Sequence, residues 1–187
     1  MGLHAFAEPD ADRFHGREAV VAELVDRVAS DQLTVVVGPS GCGKSSIVRA
    51  GLVPALRRGG VRGSDSWFIT AMVPGSDPFE ALEAALLRVA VNPPASLRDQ
   101  LAEPGGVVRA VRRVLPTDEA EILIVIDQFE ELFTQSDAPG TGRFHDELAA
   151  ALGRTDCPFR VVATLRADHY DAPLRHRAIA ALVTDGT

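Results

Sequence analysis

Apolar positions recur along the chain in two alternating rhythms. Between Glu18 and Ser30, Val20, Val21, Leu24, Val25 and Val28 fall at three- and four-residue intervals with Glu23, Asp26 and Arg27 between them, which predicts an amphipathic helix. Leu33-Thr34-Val35-Val36-Val37 is a β-branched run ending at Gly38, and Ile47, Val48 and Leu52 restore helical spacing from Ser45 to about Leu56. Gly51 and Pro54 predict that this helix kinks or ends early, and Gly59-Gly60 closes it. A second apolar run, residues 67–73, precedes Asp77-Pro78-Phe79-Glu80. A capping acid, a proline at the first helical position and a following acid there predict a helix over 78 to about 91, stopped by Asn92-Pro93-Pro94. Shorter helical patterns cover 96–102 and 107–115. Ile122-Leu123-Ile124-Val125-Ile126 is the uninterrupted run expected of a central parallel strand covered on both faces. A helix over 143–152, a fourth strand over 160–164 and a final helix over 173–183 complete the pattern.

Strands that alternate with helices predict an α/β fold with a mostly parallel sheet between two helical layers, and ligands in such sheets bind beyond the carboxyl ends of the strands. The 187 residues, 46% of them hydrophobic, suit one domain over 1–187. The net charge of −7 is spread along the chain, which argues against direct nucleic-acid binding by a dominant basic face. No apolar run approaches the roughly 20 residues of a membrane span. Glu8, Asp10 and Asp12 make the N-terminus unlike a signal peptide, so the expected setting is cytoplasmic, without a membrane partner. Cys42 and Cys157 stand far apart and suggest neither a disulfide framework nor a zinc site.

Of the 19 basic residues only Lys44 is a lysine. It falls in the pattern GxxxxGK[ST], read here as Gly38-Pro39-Ser40-Gly41-Cys42-Gly43-Lys44-Ser45. Glycines in such a loop let backbone N–H groups converge on phosphate oxygens, and the following helix offers its positive end. Lys44 would reach the β and γ phosphates of ATP, Ser45 would ligate Mg²⁺ through its hydroxyl, and Ser46 would add a contact near the α-phosphate. Asp127 ends the run 122–126, the place for a carboxylate of the Mg²⁺ shell. Glu130 and Glu131 follow within a turn; one of them would polarise an attacking water, and spacing does not choose between them. Arg166, after the fourth strand, is a candidate sensor of the γ-phosphate, with a surface salt bridge as its ordinary alternative. Arg109, Arg112 and Arg113 read as a solvated helix face, and the five histidines show no ligand spacing.

Together these residues resemble the ATPase module of STAND proteins, the signal-transducing NTPases related to NACHT and NB-ARC domains and to the wider AAA+ group. Phe14-His15-Gly16-Arg17-Glu18 looks like the family's GRE element beside the adenine, which would make Phe14, Gly16 and Arg17 nucleotide contacts. Residues 38–46 look like its phosphate loop (Walker A), and Asp127-Gln128-Phe129-Glu130-Glu131-Leu132-Phe133 like its DQFEELF Walker B segment. Thr164-Leu165-Arg166-Ala167-Asp168-His169-Tyr170 resembles its sensor segment. The resemblance implies a P-loop NTPase fold with strand order 5-1-4-3-2. It also implies a chain that stops before the fifth strand and lid of a larger multidomain protein. Cys42 departs from the serine or alanine expected in the loop, with little consequence for a site built from backbone groups.

The implied function is an ATP/ADP-dependent regulatory switch with slow, Mg²⁺-dependent hydrolysis. Its partners would be the nucleotide, other domains of the same chain and, in a nucleotide-dependent way, further copies of itself. A P-loop phosphotransferase is the alternative; against it, Glu130-Glu131 suits water activation better than transfer to an acceptor. A GTPase would need the lysine of an NKxD motif after the loop, and the chain has none there. An ATP-binding assembly module that never turns over differs from the switch only in hydrolysis.

Overall fold

The structure, a computed structural model, describes residues 16–134 and 140–187. Helix α1 (Glu18–Ser30) leads through a two-residue link into β1 (Leu33–Gly38), and β2 (Phe68–Met72), β3 (Ile122–Ile126) and β4 (Phe159–Arg166) complete a parallel four-stranded sheet ordered β1-β4-β3-β2. This matches the expected order 1-4-3-2. Val35 N–H donates to the Gly186 carbonyl at 2.8 Å, so the last described residues lie along the open edge of β1.

Alternation along the strands divides the core in two. Leu123 and Val125 of β3 and Val162 of β4 meet Leu24 and Val28 of α1 and Ile47, Val48, Leu52 and Leu56 of the helix after the glycine loop. Their neighbours in the strands, Ile122, Ile124, Ile126, Val161 and Ala163, meet the opposite layer. That layer is built from α4 (Pro78–Leu87), α6 (Gly106–Val114), α8 (Thr141–Leu152) and α10 (Arg177–Asp185). With a helical layer on each face, β3 is buried along its whole length, as its continuous apolar run requires.

Several elements differ from expectation. The helix after the glycine loop does not end at Gly51, and the irregularity expected from Gly51 and Pro54 takes the form of a π-helical turn (Ile47–Leu52) between α2 (Lys44–Ser46) and α3 (Val53–Arg57). Pro54 has no N–H to donate, and its ring would press on the Ala50 carbonyl of a regular α-helix. The wider turn, in which Val53 N–H donates to the Val48 carbonyl, absorbs that conflict. Helix α4 stops at Leu87 rather than near 91, where the Arg88 guanidinium turns to the Ala71 carbonyl of β2 and Val91 is left exposed. Its start is as expected, Asp77 Oδ1 accepting from Glu80 N–H at 3.0 Å. That N–H bond, ahead of the Arg98 guanidinium, holds the Asp77 carboxyl below its ordinary pKa. Short α5 (Arg98–Leu101) replaces the longer pattern over 96–102. The final helix is two, α9 (Asp171–Leu174) and α10, because His176 between them is extended and turns its ring inward.

That ring meets a second histidine. His145 of α8 is fully buried, with its ring 4.1 Å from that of His176 and stacked at 4.7 Å on Phe133 of α7 (Glu131–Thr134). Neither ring nitrogen has a hydrogen-bond partner among the described residues. Burial foremost, and then the nearby His176, lowers the His145 pKa from 6.5 to about 4. The unfolded chain therefore takes the proton first as pH falls. Stability from a neutral His145 is complete above pH 6.5 and is lost progressively toward pH 4. Urea unfolding at pH 7 and pH 5 is expected to differ by about 2 kcal/mol from this group, a difference that His145→Leu removes.

Candidate functional site

The carboxyl ends of all four strands lie on one side of the sheet, and the sequence-predicted residues gather there. The register sets Gly38 opposite Arg166 and Ile126 opposite Ala163, so β4 separates the glycine loop of β1 from Asp127 after β3. Gly43 begins α2 in the left-handed region (φ 90°), a conformation that favours glycine, and its carbonyl accepts from Ile47 N–H at 2.8 Å. A β-carbon at Gly38 would stand 2.8 Å from Cys42 Sγ, so any larger residue there would make the Cys42 side chain shift. Pro39, Ser40 and Gly41 are exposed, Cys42 to Ser45 half-buried and Ser46 buried. The Lys44 ammonium curls back over the loop and donates to the Gly38 and Pro39 carbonyls at 2.9 and 2.8 Å.

Asp127 ties loop, sheet and helix together. Its Oδ1 accepts from the Ser45 hydroxyl at 2.7 Å and from the Thr164 hydroxyl at 2.6 Å, while Oδ2 pairs with Arg49 Nη2 at 2.9 Å. The carboxylate is 6% exposed and every one of these partners is a donor, the condition under which a buried charge is tolerated. Thr164 also accepts from Gln128 N–H at 3.1 Å, and its carbonyl accepts from Phe129 N–H at 2.8 Å. These two bonds pin the turn after β3 and hold Gln128 at φ 58°, the one non-glycine residue with positive φ among the described residues. Strain of that kind concentrates beside sites where geometry must be fixed.

The two glutamates diverge. Glu130 is buried, and its Oε2 accepts from Arg166 N–H at 3.3 Å, beside the point where β4 faces Gly38. Glu131 turns the other way and accepts from Gly75 N–H at 2.9 Å, past the end of β2. The Arg166 guanidinium is engaged by Asp168 through bonds of 3.1 and 2.6 Å and holds that carboxyl below its ordinary pKa. Gly16 and Arg17 are exposed at the start of α1, with Gly16 N–H donating to Glu18 Oε1 at 3.0 Å. Phe14 lies outside the described residues. Arg109 and Arg112 are exposed and paired with Glu103 and Asp156, as a solvated face requires.

Arg49 and Thr164 were not singled out as partners of Asp127. Signals for both were available: Arg49 stands four residues after Ser45, on the same helix face, and Thr164 is a hydroxyl near the end of an apolar strand next to β3.

A parallel α/β sheet that presents a glycine loop with its lysine, and a buried carboxylate across one intervening strand, defines a nucleotide-binding NTPase module. Residues 1–187 match the family described as Novel STAND NTPase 1, and the chain belongs to that family. No curated protein matches it. Among solved structures its fold is similar to that of the ORC2 protein of Aeropyrum pernix, determined as ADPNP-ADP complexes. The TM-score is 0.61 at 14% identity over 98% of this chain and 49% of that one, so this chain spans about half of that protein's length. Among the described residues no helix is long and apolar enough to cross a membrane.

Proposed function

We propose that this domain binds ATP and ADP with Mg²⁺ on residues 38–46, hydrolyses ATP slowly, and serves as the nucleotide-controlled switch of a longer signalling protein. The observation that carries this reading is the 2.7 Å bond between Ser45 and Asp127, which joins the phosphate loop to the carboxylate after β3. The donor set suits Mg²⁺, a hard cation that is usually held by a hydroxyl, one or two carboxylates, substrate phosphates and water. Ser45 and Asp127 would hold it, and it would neutralise charge on the phosphates. Lys44 would exchange the Gly38 and Pro39 carbonyls for β and γ phosphate oxygens, and Gly41 and Gly43 would leave the loop backbone free to approach them. The complexes of the ORC2 protein, with ADPNP and ADP, agree in nucleotide type. Gly16 and Arg17 would lie near the base, because Val20 in the first turn of α1 shares a cleft with Val37, next to the end of β1.

Of the two glutamates, Glu130 is our choice for orienting the attacking water, since it lies against the strand position that faces Gly38, whereas Glu131 is bound to Gly75. Single-turnover phosphate release from MgATP is expected to fall by about 10²–10⁴ in Glu130→Gln, a general base's usual contribution, with nucleotide affinity retained. Glu131→Gln should stay within about threefold of the parent. Equal losses in both variants would remove the assignment, and no release from the parent chain or a longer one would favour an assembly module that binds without turnover. As a switch, the domain would be read out by neighbouring domains or further copies that contact its ATP and ADP forms differently.

A further inference from the structure

We infer that Arg49 is an internal counter-cation that makes metal capture at Asp127 conditional on bound nucleotide; this rests on the proposed Mg²⁺–nucleotide site. Its guanidinium approaches Asp127 Oδ2 at 2.9 Å while Oδ1 takes the hydroxyls of Ser45 and Thr164, so both oxygens of the carboxylate are engaged. The carboxylate side chain is 8% exposed and the Arg49 side chain 40%, so the anion is fixed inside and the cation reaches it from the surface. Burial makes an uncompensated carboxylate costly, and Arg49 is what supplies its neutralising charge.

The local fold gives this arginine room to leave. It stands in the π-helical turn, four residues after Ser45, and borders a cleft of about 290 Å³ lined by Val53, Ile69, Thr70, Ala71 and Val125. A divalent ion held by Ser45 and Asp127 would share one carboxylate with a guanidinium, and like charges at that range repel strongly in a half-buried site. Free Mg²⁺ would have to displace Arg49 unaided. Mg²⁺ that arrives with a di- or triphosphate brings the negative charge that offsets the repulsion. Arg49 thereby favours the loaded nucleotide over the bare ion, and its release would mark the loaded state on the open face beside β2. Arg49 acts through the Asp127 carboxylate that it touches, so it is a positioning residue.

Melting temperatures against increasing MgCl2 test this, with and without ADP, for the parent chain, Arg49→Gln and Arg49→Lys. Gln keeps a donor for Asp127 without the charge; Lys keeps the charge. Without nucleotide, the parent and the Lys variant are expected to show a flat response to millimolar Mg²⁺. Arg49→Gln should be stabilised by Mg²⁺ alone, at concentrations at least about tenfold below any that act on the parent, and Asp127→Asn in that background should remove the response. With ADP present, all three should be stabilised by Mg²⁺. If MgADP stabilises Arg49→Gln but Mg²⁺ alone affects it no more than the parent, the inference is wrong. A Lys variant that responds like Gln overturns the charge argument. Absence of any MgADP effect in the parent overturns instead the nucleotide reading beneath it.

Discussion

Replacing Lys44 with alanine is expected to weaken MgATP binding by roughly 100-fold in an isothermal titration, about 3 kcal/mol. The ammonium makes two bonds to the Gly38 and Pro39 carbonyls, so its reach already spans the mouth of the loop, and the phosphates would receive those protons. A hydrogen bond to a charged group contributes about 1.5–3 kcal/mol, and Lys44 would make two. Lys44→Arg should not restore binding: a planar fork needs more width than a compact ammonium inside a turn that places glycine at 38, 41 and 43. Affinity within a few-fold of the parent in Lys44→Ala would show that the loop does not hold the phosphates.

Phe129→Ala should give the largest loss of stability, about 3–5 kcal/mol in denaturant unfolding, which corresponds to a melting temperature lower by roughly 10 °C. Its ring is fully buried and stands edge-to-face to Phe133 at 5.3 Å, while its N–H anchors the turn to the Thr164 carbonyl. Phe129 lies between Asp127 and Glu130, so the cavity left by the ring would loosen both carboxylates. A loss below about 1 kcal/mol would mean that the site relaxes freely around the missing ring, against a packed anchor.

The sheet was legible because its signals are local. The run 122–126 coincides with β3, Leu33 to Val37 falls within β1, and α1 spans the residues of the amphipathic pattern. The glycine loop and Asp127 were legible for the same reason: glycines, a lysine and an acid at the end of an apolar run carry their meaning in spacing alone. What escaped depends on tertiary contact. Nothing near Arg88 in sequence says that its guanidinium turns to Ala71 and closes α4, nor that His176 stays extended so that its ring meets His145. The different placement of Glu130 and Glu131 was likewise hidden, because adjacent residues of a turn point in different directions. Only the strands across the turn, β4 for one and the exit of β2 for the other, tell them apart. Gly51 and Pro54 were read as a kink or an early end because an α-helix has no place for the proline ring, and the chain meets that constraint with a π-helical turn.

The most direct test of nucleotide binding at this loop is a set of thermal melts of the chain with MgATP, MgADP, MgGTP or no nucleotide. A ligand at about 100 times its dissociation constant adds roughly 2.7 kcal/mol, a rise of roughly 5–10 °C for a domain of this size. The account predicts that rise with both adenine nucleotides, a smaller one with MgGTP, and no more than about 2 °C in Lys44→Ala. Melting temperatures that do not move with any nucleotide, in this chain and in one extended past residue 187, would contradict it.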